Sequence, residues 1–105
     1  MTHNNLDAIA VIDLTWRVKC KDGQMAADLG GELAIVNLKS GVYYGLNEVG
    51  ARMWNLFQEG RTLREVRDQI TAEYTVEEAR VERDLTKLIS ELAQHDLIEL
   101  GPGIS

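Results

Sequence analysis

The side chains that could do metal or covalent chemistry are few in this 105-residue chain. It has one cysteine, Cys20, and two histidines, His3 and His95. A transition-metal site needs several Cys, His or carboxylate ligands at helical or loop spacing, and no such set surrounds these residues in the sequence. Cys20 also lacks a nearby histidine that could activate its thiol. The sequence therefore predicts no metal, no cofactor and no catalytic residue.

Carboxylates and glycines give the same result. The pair Glu77-Glu78 and the neighbours Glu82 and Asp84 are general acid and base candidates, but they lie in a predicted amphipathic helix, where a solvated face is the simpler interpretation. Gly30-Gly31 matches neither G-x-G-x-x-G nor G-x-x-x-x-G-K-[ST], so it predicts a turn rather than a phosphate loop. The chain is therefore not predicted to be an enzyme.

Charge and hydropathy limit the partners. The chain has 11 basic and 17 acidic residues, for a formal charge of -6, which is the wrong sign for binding phosphates. No apolar stretch approaches the roughly 20 residues of a membrane span, and the N-terminus lacks the basic and apolar regions of a secretory signal. We therefore expect a cytoplasmic protein with neither a nucleic acid nor a membrane as its partner.

The first half of the chain is predicted to form strands. Short β-rich segments, "TWRVKC", "QMAADL", "ELAIVNL" and "VYYGL", alternate with turns at Gly23, Gly30-Gly31 and Gly41. Such turns between short strands are typical of antiparallel hairpins. We expect a meander of three strands, with a fourth short strand near Trp16 as an option.

The second half is predicted to form three helices. Asn47 can cap the first helix and Gly60 can end it, while T-x-x-E capping boxes predict the starts of the next two at Thr62/Glu65 and Thr75/Glu78. Apolar residues recur at helical spacing in the last two helices, as Leu63, Val66, Ile70, Val81, Leu85, Leu88 and Leu92. The predicted fold class is α+β and winged-helix-like, with a three-stranded antiparallel meander followed by three helices.

A winged helix raises DNA binding as an alternative function, because the third helix of such folds often enters the major groove. Here that helix is acidic on balance. It carries Glu77, Glu78, Glu82, Asp84 and Glu91 against Arg80, Arg83 and Lys87. The charge count therefore disfavours a DNA-binding regulator.

The two ends of the chain have separate predictions. The run "AIAVIDL", Ala8 to Leu14, can be a buried strand or an arm on a partner chain, so a homodimer stays open. The terminal "HDLIEL" can be a short strand or a packed tail. We divide the chain into an N-terminal arm (1–14), one domain (15–100) and a tail (101–105).

The stretch "GELAIVNLKSGVYYGLNEVGARMWNLFQEGRTLREV" and the later "AEYTVEEARVERDLTKLISELAQHDLIEL" resemble the PqqD family. This family supplies the recognition element for ribosomally made, post-translationally modified peptides. The resemblance covers about residues 32–100. Its most specific part is G-x-Y-x-G-L-N-x-x-G-x-x-x-W, formed by Gly41, Tyr43, Gly45, Leu46, Asn47, Gly50 and Trp54.

The resemblance implies a winged-helix-like protein that binds the leader segment of a precursor peptide and delivers it to a modifying enzyme. The leader would add as a strand beside residues 41–46, in the groove next to the third helix at about 76–94. Because no enzyme domain is expected here, the enzyme would be a separate chain, such as a radical-SAM enzyme or a lasso-type protease.

An edge strand explains why two tyrosines precede a capped helix directly. Its unpaired N–H and C=O groups can bind an extended peptide, and neighbouring tyrosines point to opposite faces, so that one caps the core. Which residues of the strand face the leader stays open, and Trp54 is expected in or at the edge of the core. The predicted peptide-binding residues are Val42, Tyr43, Tyr44, Gly45, Arg80, Asp84, Lys87, Leu88 and Glu91.

Overall fold

The computed structural model describes residues 13–102. Most of the predicted arm and the end of the predicted tail, residues 1–12 and 103–105, lie outside the described residues. The elements are β1 (Arg17–Cys20), β2 (Gln24–Asp28), β3 (Leu33–Asn37), β4 (Tyr43–Leu46), α1 (Glu48–Gln58), α2 (Leu63–Tyr74), α3 (Glu78–Gln94) and β5 (Ile98–Gly101). This order confirms the predicted α+β fold.

The strands form two small antiparallel sheets. The meander has the order β2-β3-β4, as predicted, and β1 pairs with β5 in a second sheet, with Arg17 opposite Gly101 and Cys20 opposite Ile98. The optional strand near Trp16 therefore exists, but it joins the two ends of the described chain instead of extending the meander. The terminal "HDLIEL" supplies its partner strand.

Two predicted helix starts and one predicted helix end are confirmed. The Asn47 side chain accepts the N–H of Gly50 at 2.8 Å and caps α1. Thr62 and Glu65 form both bonds of a capping box at the start of α2, at 3.2 and 2.8 Å. Gly60 follows α1 with a φ of +80°, a left-handed conformation in which glycine has no Cβ penalty.

The predicted capping box at Thr75 and Glu78 is wrong. The helix α3 begins at Glu78 after an N-cap at Glu77, whose side chain makes no capping bond. Thr75 instead ends α2 with a left-handed φ of 53°. Because α2 continues as far as Tyr74, the Thr75 backbone is occupied in ending that helix, and it cannot also take the extended conformation of an N-cap.

The core lies between the helices and the inner faces of both sheets. Trp54 is 2% exposed, which confirms its predicted place, and the buried apolar residues of α2 and α3 include all of the predicted ones, Leu63, Val66, Ile70, Val81, Leu85, Leu88 and Leu92. Arg67 of α2 fixes the start of α3 through Glu78 at 3.1 Å and Glu82 at 2.7 Å. These ion pairs join α2 to the first turns of α3.

Candidate functional site

The outer edge of β4 is open. Because the sheet order is β2-β3-β4, β4 has one neighbour, and no other strand among residues 13–102 pairs with its second edge. The hydrogen bonds of an antiparallel ladder alternate, so only every second residue of β4 directs its N–H and C=O toward that open edge. The register decides which residues these are.

The register places Tyr43 and Gly45 toward the open edge. The Asn37 N–H donates to the carbonyl of Val42 at 2.8 Å, and Tyr44 lies opposite Ile35 in the same register. Val42, Tyr44 and Leu46 therefore direct their backbone groups inward to β3. The groups of the two intervening residues, Tyr43 and Gly45, point away from β3.

The other side of β3 gives an independent check. The Leu38 N–H donates to Gly23 at 2.9 Å and the Leu29 N–H donates to Glu32 at 2.7 Å. In this register the even-numbered residues of β3 bond to β2, which leaves its odd-numbered residues for β4. Both ladders therefore give the same assignment for β4.

A groove of about 260 Å³ lies between β4, α3 and the first turns of α1. Its lining residues are Tyr44, Gly45, Leu46, Asn47, Val49, Gly50, Met53, Asp84, Lys87, Leu88 and Glu91. The apolar lining residues Leu46, Met53 and Leu88 are buried, and Val49 is half-buried, whereas Asp84 and Lys87 are exposed. The groove therefore has an apolar floor and a charged rim.

The structure brings six of the nine predicted residues to this groove, namely Tyr44, Gly45, Asp84, Lys87, Leu88 and Glu91. Val42, Tyr43 and Arg80 lie outside its lining. The Tyr43 side chain is 69% exposed and lies in register with Val36 and Met25 across the sheet, on the face away from the core. Of the two adjacent tyrosines, Tyr44 thus packs inward and Tyr43 stays outside.

Sequence reasoning missed the contribution of α1 to this groove. It assigned Asn47 to helix capping alone, and it gave Val49 and Met53 no place in the predicted site. A signal was present, because β4 ends at Leu46 and α1 begins at Glu48, with only Asn47 between them. So short a connection holds the first turns of α1 at the end of β4.

Tyr44 joins β4 to the last turns of α3. Its hydroxyl donates a hydrogen bond to the Glu91 carboxylate. Its ring centroid lies 5.2 Å from that of His95, with an angle of 55° between the two ring planes. Burial, together with the Glu91 carboxylate, raises the pKa of Tyr44 to about 12. The phenol therefore remains a proton donor at neutral pH, and this contact fixes one end of the groove.

The cysteine and the potential metal ligands of the described residues were the remaining candidates for chemistry. Burial raises the pKa of the Cys20 thiol to about 11, so that its nucleophilic thiolate form is scarce at neutral pH. Within residues 13–102, no three His, Cys, Asp or Glu side chains converge to hold a metal ion. No helix in that range has the length and apolarity needed to cross a membrane.

Comparison with known families decides the relationship of this chain. The family model described as "Coenzyme PQQ synthesis protein D (PqqD)" matches residues 32–98. The chain belongs to the PqqD family. The resemblance seen over about residues 32–100 is thereby confirmed. In this PqqD-family chain, the glycine-containing motif spans β4 and α1, which together line one side of the groove.

Two solved structures resemble this PqqD-family protein, whereas a search of curated proteins finds no significant match. The chain in "TbiB1 in Complex with the TbiA(beta) Leader Peptide" is 38% identical, with a TM-score of 0.73 over 83% of this chain and 98% of that chain. The chain in "Lasso peptide synthetase B1 complexed with the leader peptide" is 23% identical, with a TM-score of 0.73 over 79% and 98%. The second likeness concerns the fold alone.

Proposed function

We propose that this PqqD-family protein is a non-catalytic peptide chaperone. It binds the leader segment of a ribosomally synthesised precursor peptide by strand addition to β4 and presents it to a separate modifying enzyme. The observation that carries the proposal is the open edge of β4 beside a groove with an apolar floor. The complex of the 38% identical TbiB1 with a leader peptide supports it.

Main-chain pairing supplies the first part of recognition. The outward N–H and C=O groups of Tyr43 and Gly45 can bond to an extended peptide, which adds a fourth strand to the meander. Because β4 is already held by β3 and by the contact between Tyr44 and Glu91, little further ordering is required of this protein.

Side chains supply the second part. Successive leader residues alternate between the two faces of the extended sheet, so every second one points into the groove between β4 and α3. Tyr44, Asp84, Lys87, Leu88 and Glu91 line that groove, and we add Val49, Gly50 and Met53 to the proposed binding residues. Val42 and Arg80 flank the proposed site.

The chemistry of modification belongs to another chain in this proposal. The described residues offer a binding groove and no cluster suited to metal chemistry. The proposed partner is a separate maturation enzyme in the cytoplasm, such as a radical-SAM enzyme or a lasso-type protease. The chaperone raises the effective concentration of the precursor at that enzyme.

Titration with the TbiA(beta) leader peptide tests the function. We expect saturable binding by fluorescence anisotropy, because the peptide comes from the complex of a 38% identical protein. Duplex DNA, titrated in parallel at ~50 and ~200 mM salt, should give only weak binding that disappears at the higher salt, since the chain has a net charge of -6. A DNA complex that persists at ~200 mM salt, without peptide binding, would favour the alternative of a DNA-binding regulator.

Charge reversal on the groove rim should change leader affinity. Asp84 and Lys87 line the groove without an ion-pair partner among the described residues. For a leader with a local charge, Asp84→Lys and Lys87→Glu should shift Kd in opposite directions, by about fivefold each, and the shifts should shrink as salt rises. Anisotropy at two salt concentrations measures both effects.

Arg80→Glu is the matched control for the rim. It makes the same change of charge as Lys87→Glu, on the same helix, but outside the groove lining. Its effect on Kd should be the smaller of the two. Equal effects at the two positions would mean that the leader responds to overall charge rather than to this rim.

A further inference from the structure

Gly50 occupies a position at which the backbone does not require glycine. It lies in the first turn of α1, and it is absent from the described glycines with positive φ, which are Gly23, Gly30, Gly31, Gly41 and Gly60. Within a helix, glycine is less stabilising than alanine, because it loses more conformational freedom on folding. The reason for a glycine here must therefore lie outside the local backbone.

Packing within the protein does not require glycine either. A Cβ at Gly50 would lie 3.4 Å from the Asn47 Oδ1, 3.4 Å from the Leu46 Cδ2 and 3.5 Å from the Leu46 Cβ. These are close to ordinary contact distances. An alanine would consequently fit the free protein with little or no shift of its neighbours.

The groove is the remaining environment of this position. Gly50 lines it, and so do Leu46 and Asn47, the two residues that the added Cβ would contact. Val49 and Met53, on the same turns of α1, contribute to the apolar floor together with Leu88 of α3. A methyl group at Gly50 would therefore add to the lining of the groove beside Leu46 and Asn47.

We infer that Gly50 is a specificity-determining residue, which keeps the groove deep enough for one leader side chain to reach its floor. This inference rests on the proposed function, since it assigns a size limit to the same site. A leader whose inserted side chain is large depends on the missing Cβ. A leader with a small side chain at that point does not.

The test is Gly50→Ala, with the TbiA(beta) leader peptide and its single-alanine variants as probes. We expect the Tm of Gly50→Ala to be equal to or higher than that of the wild type, and its Kd for the unmodified leader to rise at least ~10-fold. For one alanine variant of the leader, the Kd of Gly50→Ala should lie within about twofold of the Kd of the wild-type protein. That single position identifies the side chain that reaches the floor.

Gly60→Ala is the contrasting control. Gly60 ends α1 outside the groove with a φ of +80°, so alanine there should lower Tm and leave Kd unchanged. The inference is overturned if Gly50→Ala binds the leader like the wild type, if it lowers Tm together with affinity, or if all leader variants lose affinity equally. A wild-type protein that binds no leader would instead refute the proposed function and the inference with it.

Discussion

Proline at Tyr43 or Gly45 will lower the affinity for a leader peptide by roughly 100-fold and leave the fold in place. Both residues direct their backbone N–H away from β3, so proline removes no bond of the existing ladder. It does remove a donor from the added strand. Its ring also occupies the space that the leader carbonyl would enter.

The size of this effect follows from the bond and its environment. A lost main-chain hydrogen bond costs about 1 kcal/mol, and leaving the leader carbonyl buried without a donor adds about 2 kcal/mol more. Together these costs correspond to the 100-fold loss, since about 1.4 kcal/mol is tenfold in affinity. Kd by anisotropy and the circular dichroism spectrum of each variant measure binding and fold separately.

Tyr44→Pro is the matched control on the same strand. The Tyr44 backbone bonds inward to β3, and its side chain contacts Glu91, so proline there should disrupt the meander and lower Tm strongly. If Gly45→Pro and Tyr43→Pro bind the leader normally while folded, strand addition at β4 must be abandoned. A loss of fold at all three positions would likewise contradict the assignment of the open edge.

The helices and the meander could be predicted because their signals are local. Asn47 and the pair Thr62 and Glu65 cap the helices that follow them directly in the chain. The pairing of β1 with β5 could not be predicted from local signals, since it joins Arg17 to Gly101 across almost the whole described chain. The failure at Thr75 has a different, local cause, because one residue cannot both end α2 and cap α3.

The candidate site was predictable in part. The motif pointed to β4, and helical spacing pointed to Asp84, Lys87 and Glu91, but the direction of each backbone group depends on a single-residue register. That register is seen in the folded protein, in the bond from Asn37 to Val42 and in the pairing of β3 with β2 and β4. The floor was missed because Val49 and Met53 belong to another element, which meets α3 only in the folded protein.

The open edge of β4 and the groove are expected to contribute differently to leader recognition. In the proposed complex, the open edge of β4 binds main chain, which every peptide offers, and therefore supplies affinity with little sequence preference. The floor and rim would contact side chains on one face of the added strand only. Selection among leaders must therefore depend mainly on the groove, where a change of polarity should have a large effect.

Replacing Val49 by glutamate should weaken leader binding about 100-fold at pH 7 without unfolding the protein. Val49 lies in the first turn of α1, half-buried, where a carboxylate is favoured by the helix dipole. In the free Val49→Glu protein the introduced carboxylate can stay hydrated, because residue 49 is only half-buried. A bound leader would cover it, and an ionised carboxylate loses much free energy when water is removed.

The loss of leader affinity in Val49→Glu should depend on pH. Burial under the leader should raise the pKa of the introduced carboxyl by about two units above its usual value near 4.3, and two units correspond to the 100-fold loss. Because ionisation of the introduced carboxyl opposes binding, the loss of leader affinity relative to the wild type is complete above the raised pKa. It shrinks as the pH falls through that range, and below about 4.3, where the carboxyl is neutral in both states, only the loss caused by a neutral polar side chain of this size remains.

Val49→Gln separates charge from shape in this experiment. It has nearly the same size as the glutamate variant but cannot ionise, so its Kd relative to the wild type should be raised less and should not vary with pH. Measuring each variant against the wild type at every pH removes the effects of pH that all three proteins share. If Val49→Glu binds like Val49→Gln at pH 7, the leader does not cover this floor, and its side chains must be recognised elsewhere on β4 or α3.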